Sequence, residues 1–133
     1  MNDVYDITII GGGPAGLYGA FYAGLRDLKT KIIEYKSTLG GKLHIYPEKI
    51  IWDIGGLPAT PAHKVMENLI EQGLTFNPTV CLNTKVDFVT KKDDVFVIET
   101  STGEKHFSKK VVVAVGGGII SPIKLHVEGA EKY

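Results

Sequence analysis

The sequence predicts an α/β fold in which a parallel sheet carries an inserted antiparallel β-meander. Three observations predict it. A short apolar run leads into Gly11-Gly12-Gly13-Pro14-Ala15-Gly16 and then into residues with helical spacing. A second apolar run, Lys31 to Tyr35, follows that helix. Further on, four short strand-like runs separated by turn residues precede a last buried-type strand.

Val4 to Ile10, rich in isoleucine, reads as the first strand. Leu17 to Leu28 reads as a helix, with Leu17, Ala20, Phe21, Gly24, Leu25 and Leu28 on one face. With Lys31–Tyr35 these make one βαβ unit. Ser37 to Thr60 has two Gly-Gly pairs and two prolines and reads as mostly irregular. Thr60-Pro61 predicts a helix start, Thr as N-cap and Pro as first helical residue. Val65, Leu69 and Ile70 face inward along that helix, and Gly73 ends it. Thr79–Leu82, Lys85–Thr90, Val95–Thr100 and Lys105–Phe107 then predict an antiparallel meander, with turns at Lys91–Asp94 and Ser101–Glu104. Lys110 to Val115 is the late parallel strand and ends in Gly116-Gly117-Gly118.

Composition narrows the function classes. Fifteen Lys+Arg balance 15 Asp+Glu, so the chain has no basic footprint for nucleic acid. A single cysteine, Cys81, excludes an intrachain disulfide framework or a CxxC site within these residues. There is no apolar stretch of membrane-spanning length, and Asp3 and Asp6 stand where a signal peptide needs basic residues. A cytoplasmic location is the expectation. His44, His63, His106 and His126 lack metal-ligand spacing, and no Ser/His/Asp or carboxylate pair suggests hydrolysis. Cys81 reads as a small buried hydrophobe, and Trp52 as either a cofactor flank or plain core.

The glycines carry the chemical signal. Gly11-x-Gly13-x-x-Gly16 between a strand and a helix is the dinucleotide fingerprint. The first glycine allows the tight turn, the second lets a pyrophosphate approach the backbone, and the third lets helix pack on strand. Free N–H groups at the helix start, helped by the dipole, bind the phosphates. Glu34 lies 34 − 11 = 23 residues beyond the first glycine. Its carboxylate suits ribose hydroxyls and repels a 2′-phosphate, which points to FAD or NAD at this site. Gly40-Gly41-Lys42-Leu43 supplies a second place where backbone can approach a ligand without Cβ clashes.

Gly-Gly-Gly-Pro-Ala-Gly resembles the opening of the two-dinucleotide-domain flavoproteins, and Pro14 favours FAD. The resemblance narrows at Gly40-Gly41-Lys42-Leu43, Tyr46-Pro47-Glu48-Lys49, Trp52-Asp53-Ile54-Gly55-Gly56 and Pro58. Together these are similar to ferredoxin–NADP reductase of the thioredoxin-reductase-like type, a homodimeric bacterial flavoenzyme, over essentially the whole chain. The resemblance implies a Rossmann-like FAD-binding domain. It implies FAD contacts at Gly11, Gly13, Pro14, Ala15, Gly16, Glu34, Gly41, Lys42, Leu43, Tyr46, Val86, Gly116 and Ile120. Among these, Glu34 would hold the ribose, Lys42 would lie along the flavin, and Tyr46 would stack near the ring. Val86 would meet the adenine through its backbone, and Ile120 would approach the flavin. Lys42 and Ile120 depart from the glutamine and the aromatic frequent at these positions in the family.

The implied activity is electron transfer from NADPH through FAD to ferredoxin or flavodoxin, with no side chain making or breaking bonds. Ser121-Pro122 after the last glycine turn leaves no second Rossmann site. The resemblance implies a longer protein, with an NADPH domain inserted into the FAD domain and a last FAD segment after it. Residues 1–133 then read as the N-terminal segment of the FAD domain, the NADPH domain and C-terminal FAD segment being absent from it, and Val127–Tyr133 as leading toward the former. Two alternatives remain open, a thioredoxin-type disulfide reductase fragment and a non-catalytic FAD- or NAD-binding module.

Overall fold

In the computed structural model, which describes residues 3–119, the N-terminal apolar run is two strands. These are β1 (Val4–Tyr5) and β2 (Ile7–Ile10). They lie in different sheets, so the expected single strand Val4–Ile10 is corrected. β1 pairs in parallel with β9 (Lys105–Ser108), whereas β2 lies between β3 (Thr30–Ile33) and β10 (Val111–Val113). Asp6 holds the step between sheets, accepting from the Lys29 backbone N–H at 2.9 Å and the Lys109 ammonium at 2.7 Å. Both halves are extended and apolar, so periodicity cannot register the change of partner.

Helix α1 (Pro14–Gly24) begins three residues before the expected Leu17, because Pro14 takes the first helical turn, where its missing N–H costs nothing. It stops short of the expected Leu28. Asp27 adopts a left-handed conformation (φ 57°) and the Leu28 N–H returns to the Ala23 carbonyl at 3.1 Å. Helix α2 (Ala62–Gly73) confirms the second helix but not its cap. Thr60–Pro61 is instead β5, antiparallel to β4 (Ile50–Ile51), and the Thr60 hydroxyl donates to the Pro58 carbonyl. The first α2 donors find backbone acceptors elsewhere: Ala62 N–H to Lys49 O (2.8 Å) and His63 N–H to Pro47 O (3.0 Å).

Strand β6 (Thr79–Cys81) pairs in parallel with β3. It belongs to the main sheet, and its expected place in the meander is corrected: α2 is the crossover that carries the chain from β3 to β6. The parallel sheet has the order β10-β2-β3-β6. The meander is three-stranded, β7 (Val86–Lys92), β8 (Val95–Thr100) and β9, with β1 added at its edge. Lys91 and Lys92 extend β7, leaving a two-residue turn at Asp93-Asp94 with Asp93 at φ 53°.

Two buried clusters bracket the parallel sheet. Ile9, Leu17, Ala20, Ile32 and Leu39 pack with Leu69 and Ile70 on the helix side. Ile10, Ile33 and Ile98 pack with Val86 and Val111 on the meander side. Val65 is buried as expected. Among the described residues no helix is long and apolar enough to cross a membrane.

Candidate dinucleotide-binding site

β2 sends its connection through α1 to β3 on one side, while β10 lies on its other side. The carboxyl ends of these strands therefore meet at a reversal of strand order, where open α/β sheets leave a crevice for ligands. The glycine turn occupies it. At Gly11 (φ 111°) an added Cβ would sit 2.3 Å from the Ala114 carbonyl oxygen, on the segment leaving β10. At Gly16 it would sit 1.9 Å from the Gly11 carbonyl oxygen. Internal packing thus requires both glycines. Gly13 differs: its backbone is extended, and an added Cβ would meet only the Gly41 Cα, at an ordinary 3.7 Å.

Glu34 is buried just past β3. One carboxylate oxygen accepts from the Gly12 N–H at 2.6 Å and the other from the Lys36 N–H at 2.8 Å. The carboxylate so ties the glycine turn to the end of β3. No side chain caps α1 and its first turn has no acidic residue, so the positive end of its dipole is left for an external anion. Pro14 and Ala15, at that end, are exposed.

The second glycine pair packs directly on the first turn. The Gly40 N–H donates to the Gly12 carbonyl at 2.8 Å. A Cβ on Gly41 (φ 61°) would lie 2.8 Å from the Gly13 Cα, so only glycine allows this approach. Gly41–His44 forms a 3-10 turn that presents Lys42 to solvent and half-buries Leu43. The Lys42 ammonium reaches the late glycine turn, 3.0 Å from where a Gly117 Cβ would stand. Gly116 (φ 57°) has open space around it. Tyr46 is 57% exposed, with the Lys49 ammonium 5.7 Å from its ring centroid. Trp52 is 75% exposed, which removes its reading as core.

Val86 reaches the same end of the sheet through backbone bonds. Glu34 N–H donates to Cys81 O, Asn83 N–H to Lys36 O and Thr84 N–H to Glu34 O, at 2.8, 3.0 and 3.0 Å. Val86, two residues on, is half-buried at the start of β7. Beyond Glu34 lies a cavity of about 630 Å³ lined by Tyr35, Lys36, Ser37, Thr38, His44 and Asn83. Sequence reasoning passed over Tyr35, Lys36 and Asn83, although two of them directly follow the acidic residue. Ile120 lies outside the described residues. Cys81 is half-buried against the meander-side cluster, and that burial pushes its thiol up from the usual range. Among the described residues no group of three or more His, Cys, Asp or Glu could hold a metal.

A parallel sheet with a glycine turn, an uncapped helix start and a buried carboxylate just past the second strand of the βαβ unit defines a Rossmann-like α/β domain. The family model for pyridine nucleotide-disulphide oxidoreductases matches residues 5–133, and the chain belongs to that family. It is 62% identical over 133 residues to "Ferredoxin--NADP reductase 3" of Lysinibacillus sphaericus, covering 100% of this chain and 38% of that protein. It is 60% identical over 136 residues to "Ferredoxin--NADP reductase 2" of Exiguobacterium sibiricum, with the same coverages. A solved thioredoxin reductase from Streptococcus pyogenes superposes with a TM-score of 0.76 at 26% identity, covering 98% of this chain and 40% of that one. The chain thus spans a little over a third of the length of the curated relatives it matches.

Proposed function

We propose that residues 1–133 form the N-terminal segment of an FAD-binding domain, and that the whole protein passes electrons from NADPH through FAD to ferredoxin or flavodoxin. One observation carries the nucleotide site. Gly13 has no packing reason to be glycine, unlike Gly11 and Gly16, yet it stands at the open end of α1. A pyrophosphate approaching the backbone there supplies the reason.

The residues present fit FAD. Glu34 uses one lone pair on each oxygen for Gly12 and Lys36, which leaves acceptor capacity for ribose hydroxyls. Gly11, Pro14, Ala15 and Gly16 would surround the pyrophosphate, and Val86 would meet the adenine. Gly41, Lys42, Leu43 and Gly116 would follow the flavin side. Tyr46 offers an uncovered aromatic face for the ring. Bound FAD would supply two-electron acceptance and one-electron release. The chain's own residues bind and orient it, and Lys42 would place a positive charge beside the flavin.

The acceptor reading rests on relatives near 60% identity that are named ferredoxin–NADP reductases, against about 26% for a thioredoxin reductase. A homodimer in the cytoplasm, with NADPH held outside these residues, belongs to the same proposal. The test is Gly13→Ala in the full-length protein, followed by flavin-fluorescence titration and thermal unfolding without FAD. FAD affinity is expected to fall at least about tenfold, near 1.4 kcal/mol, with unfolding unchanged. Undiminished binding would overturn the site.

A further inference from the structure

The meander-facing side of the parallel sheet has an apolar level and a polar one. Ile10, Ile33 and Cys81 are register partners, and they pack in the cluster that contains Ile98. Two residues earlier, Thr8, Lys31 and Thr79 are register partners on the same face. Lys31 is only 8% exposed. Its ammonium lies 4.1 Å from the centroid of the Tyr5 ring and 3.1 Å from Nδ1 of His106 on β9. The Tyr5 hydroxyl, in turn, hydrogen-bonds the Thr79 hydroxyl at 2.9 Å.

An ammonium can only donate, so Nδ1 of His106 accepts and the ring proton sits on Nε2. His106 is 5% exposed, and its Nε2 has no hydrogen-bond partner. Among the described residues the other buried side-chain atom in that condition is Thr8 Oγ1, in the same row as Lys31. Glu104, in the β8–β9 turn, stops 3.7 Å short of Nε2 with a largely exposed side chain. A lysine and a histidine are thus buried together between two sheets without a buried counter-charge, and the nucleotide site uses neither.

We propose that Lys31 and His106 form a pH-sensitive latch between the parallel sheet and the meander, closed while His106 is neutral and released when its ring takes a second proton. A protonated Nδ1 can no longer accept from Lys31, and two cations would then face each other out of water. Lys31 from β3 and Glu104 from the turn face the ring; Tyr5 from β1 packs on the lysine, Cys81 from β6 feels the charges of Lys31 and Glu104, and Asp3, just before β1, feels that of Lys31. Cys81 stays a neutral thiol in this range because burial raises it. Glu104 and Asp3 are the anions, both with largely exposed side chains, and solvent screens them. Burial first, and Lys31 second, hold the His106 imidazole below its ordinary range, with Glu104 opposing.

The sign follows from that depression. Folding favours the neutral ring, so the latch contributes fully above the unfolded-state value of about 6.5. The contribution is lost as pH falls from there through the lower folded value.

Amide hydrogen exchange on the full-length protein between about pH 5 and 8, corrected for intrinsic rates, tests this. Below about pH 6.5, amides of β3, β8 and β9 should open up to roughly tenfold more readily for each unit the pH falls, and above it their opening should not depend on pH. His106→Gln keeps an acceptor for Lys31 but does not titrate, and should flatten the dependence. An unchanged pH dependence in His106→Gln would overturn the latch. If that variant fails to fold, ring-nitrogen NMR of the unmodified protein decides. Nδ1 unprotonated at neutral pH supports the latch, and a proton on Nδ1 rejects it.

Discussion

An added methyl at Gly16 would stand 1.9 Å from the Gly11 carbonyl oxygen, whereas one at Gly13 would meet nothing closer than 3.7 Å. Packing therefore requires one of these glycines and not the other, which the proposed nucleotide site would require instead. The difference predicts opposite phenotypes. Gly16→Ala should destabilise the folded chain by about 3 kcal/mol or more, because backbone cannot yield as a side chain would; chemical denaturation measures it. Gly13→Ala should leave unfolding unchanged. The spacing of the glycines and of Glu34 was legible in the sequence, since a strand, a glycine turn, a helix and an acidic residue follow one another locally. The contacts at Glu34 were not. Its bonds to Gly12 and Lys36 depend on which backbone N–H groups the folded turn leaves without partners.

At the scale of elements, the Tyr46–Lys49 segment takes over a task that Thr60 was expected to perform. Its carbonyls at Pro47 and Lys49 accept the first N–H groups of α2, and the His63 ring also bonds to the Pro47 carbonyl at 3.0 Å. The segment that carries Tyr46 is thus anchored to a helix, while the aromatic ring stays exposed. Thr60→Ala should therefore cost less than about 0.5 kcal/mol, below the roughly 1 kcal/mol typical of a lost N-cap. Thermal unfolding distinguishes the two. Local residue types made Thr-Pro look like a helix start. They also occur in a short strand pair, and the pairing of Ile50–Ile51 with Thr60–Pro61 is a contact between segments. The same holds for β6, whose apolar run suits either sheet until its hydrogen-bond partner is known.

At the scale of the whole molecule, the crevice proposed for the nucleotide is well built around Glu34, the proposed adenosine side, and open on the proposed flavin side. Glu34 is buried and doubly bonded, but Tyr46, Trp52 and Val113 are 57, 75 and 68% exposed. Residues 1–133 alone are expected to bind FAD weakly, because little of the described surface, residues 3–119, would close over the ring. A flavin-fluorescence titration checks this, and tight stoichiometric binding would contradict it.

The sequence by itself determined the α/β class, the glycine turn and the acidic residue beyond it, since these depend on neighbours within some thirty residues. Only the tertiary structure decided the rest. The break at Asp6, the transfer of β6 to the parallel sheet and the burial of Lys31 against His106 all arise from hydrogen bonds and packing between distant segments. Extended, apolar stretches look alike until their partners are chosen, and a lysine in a strand shows no sign of whether water or a second sheet will meet it.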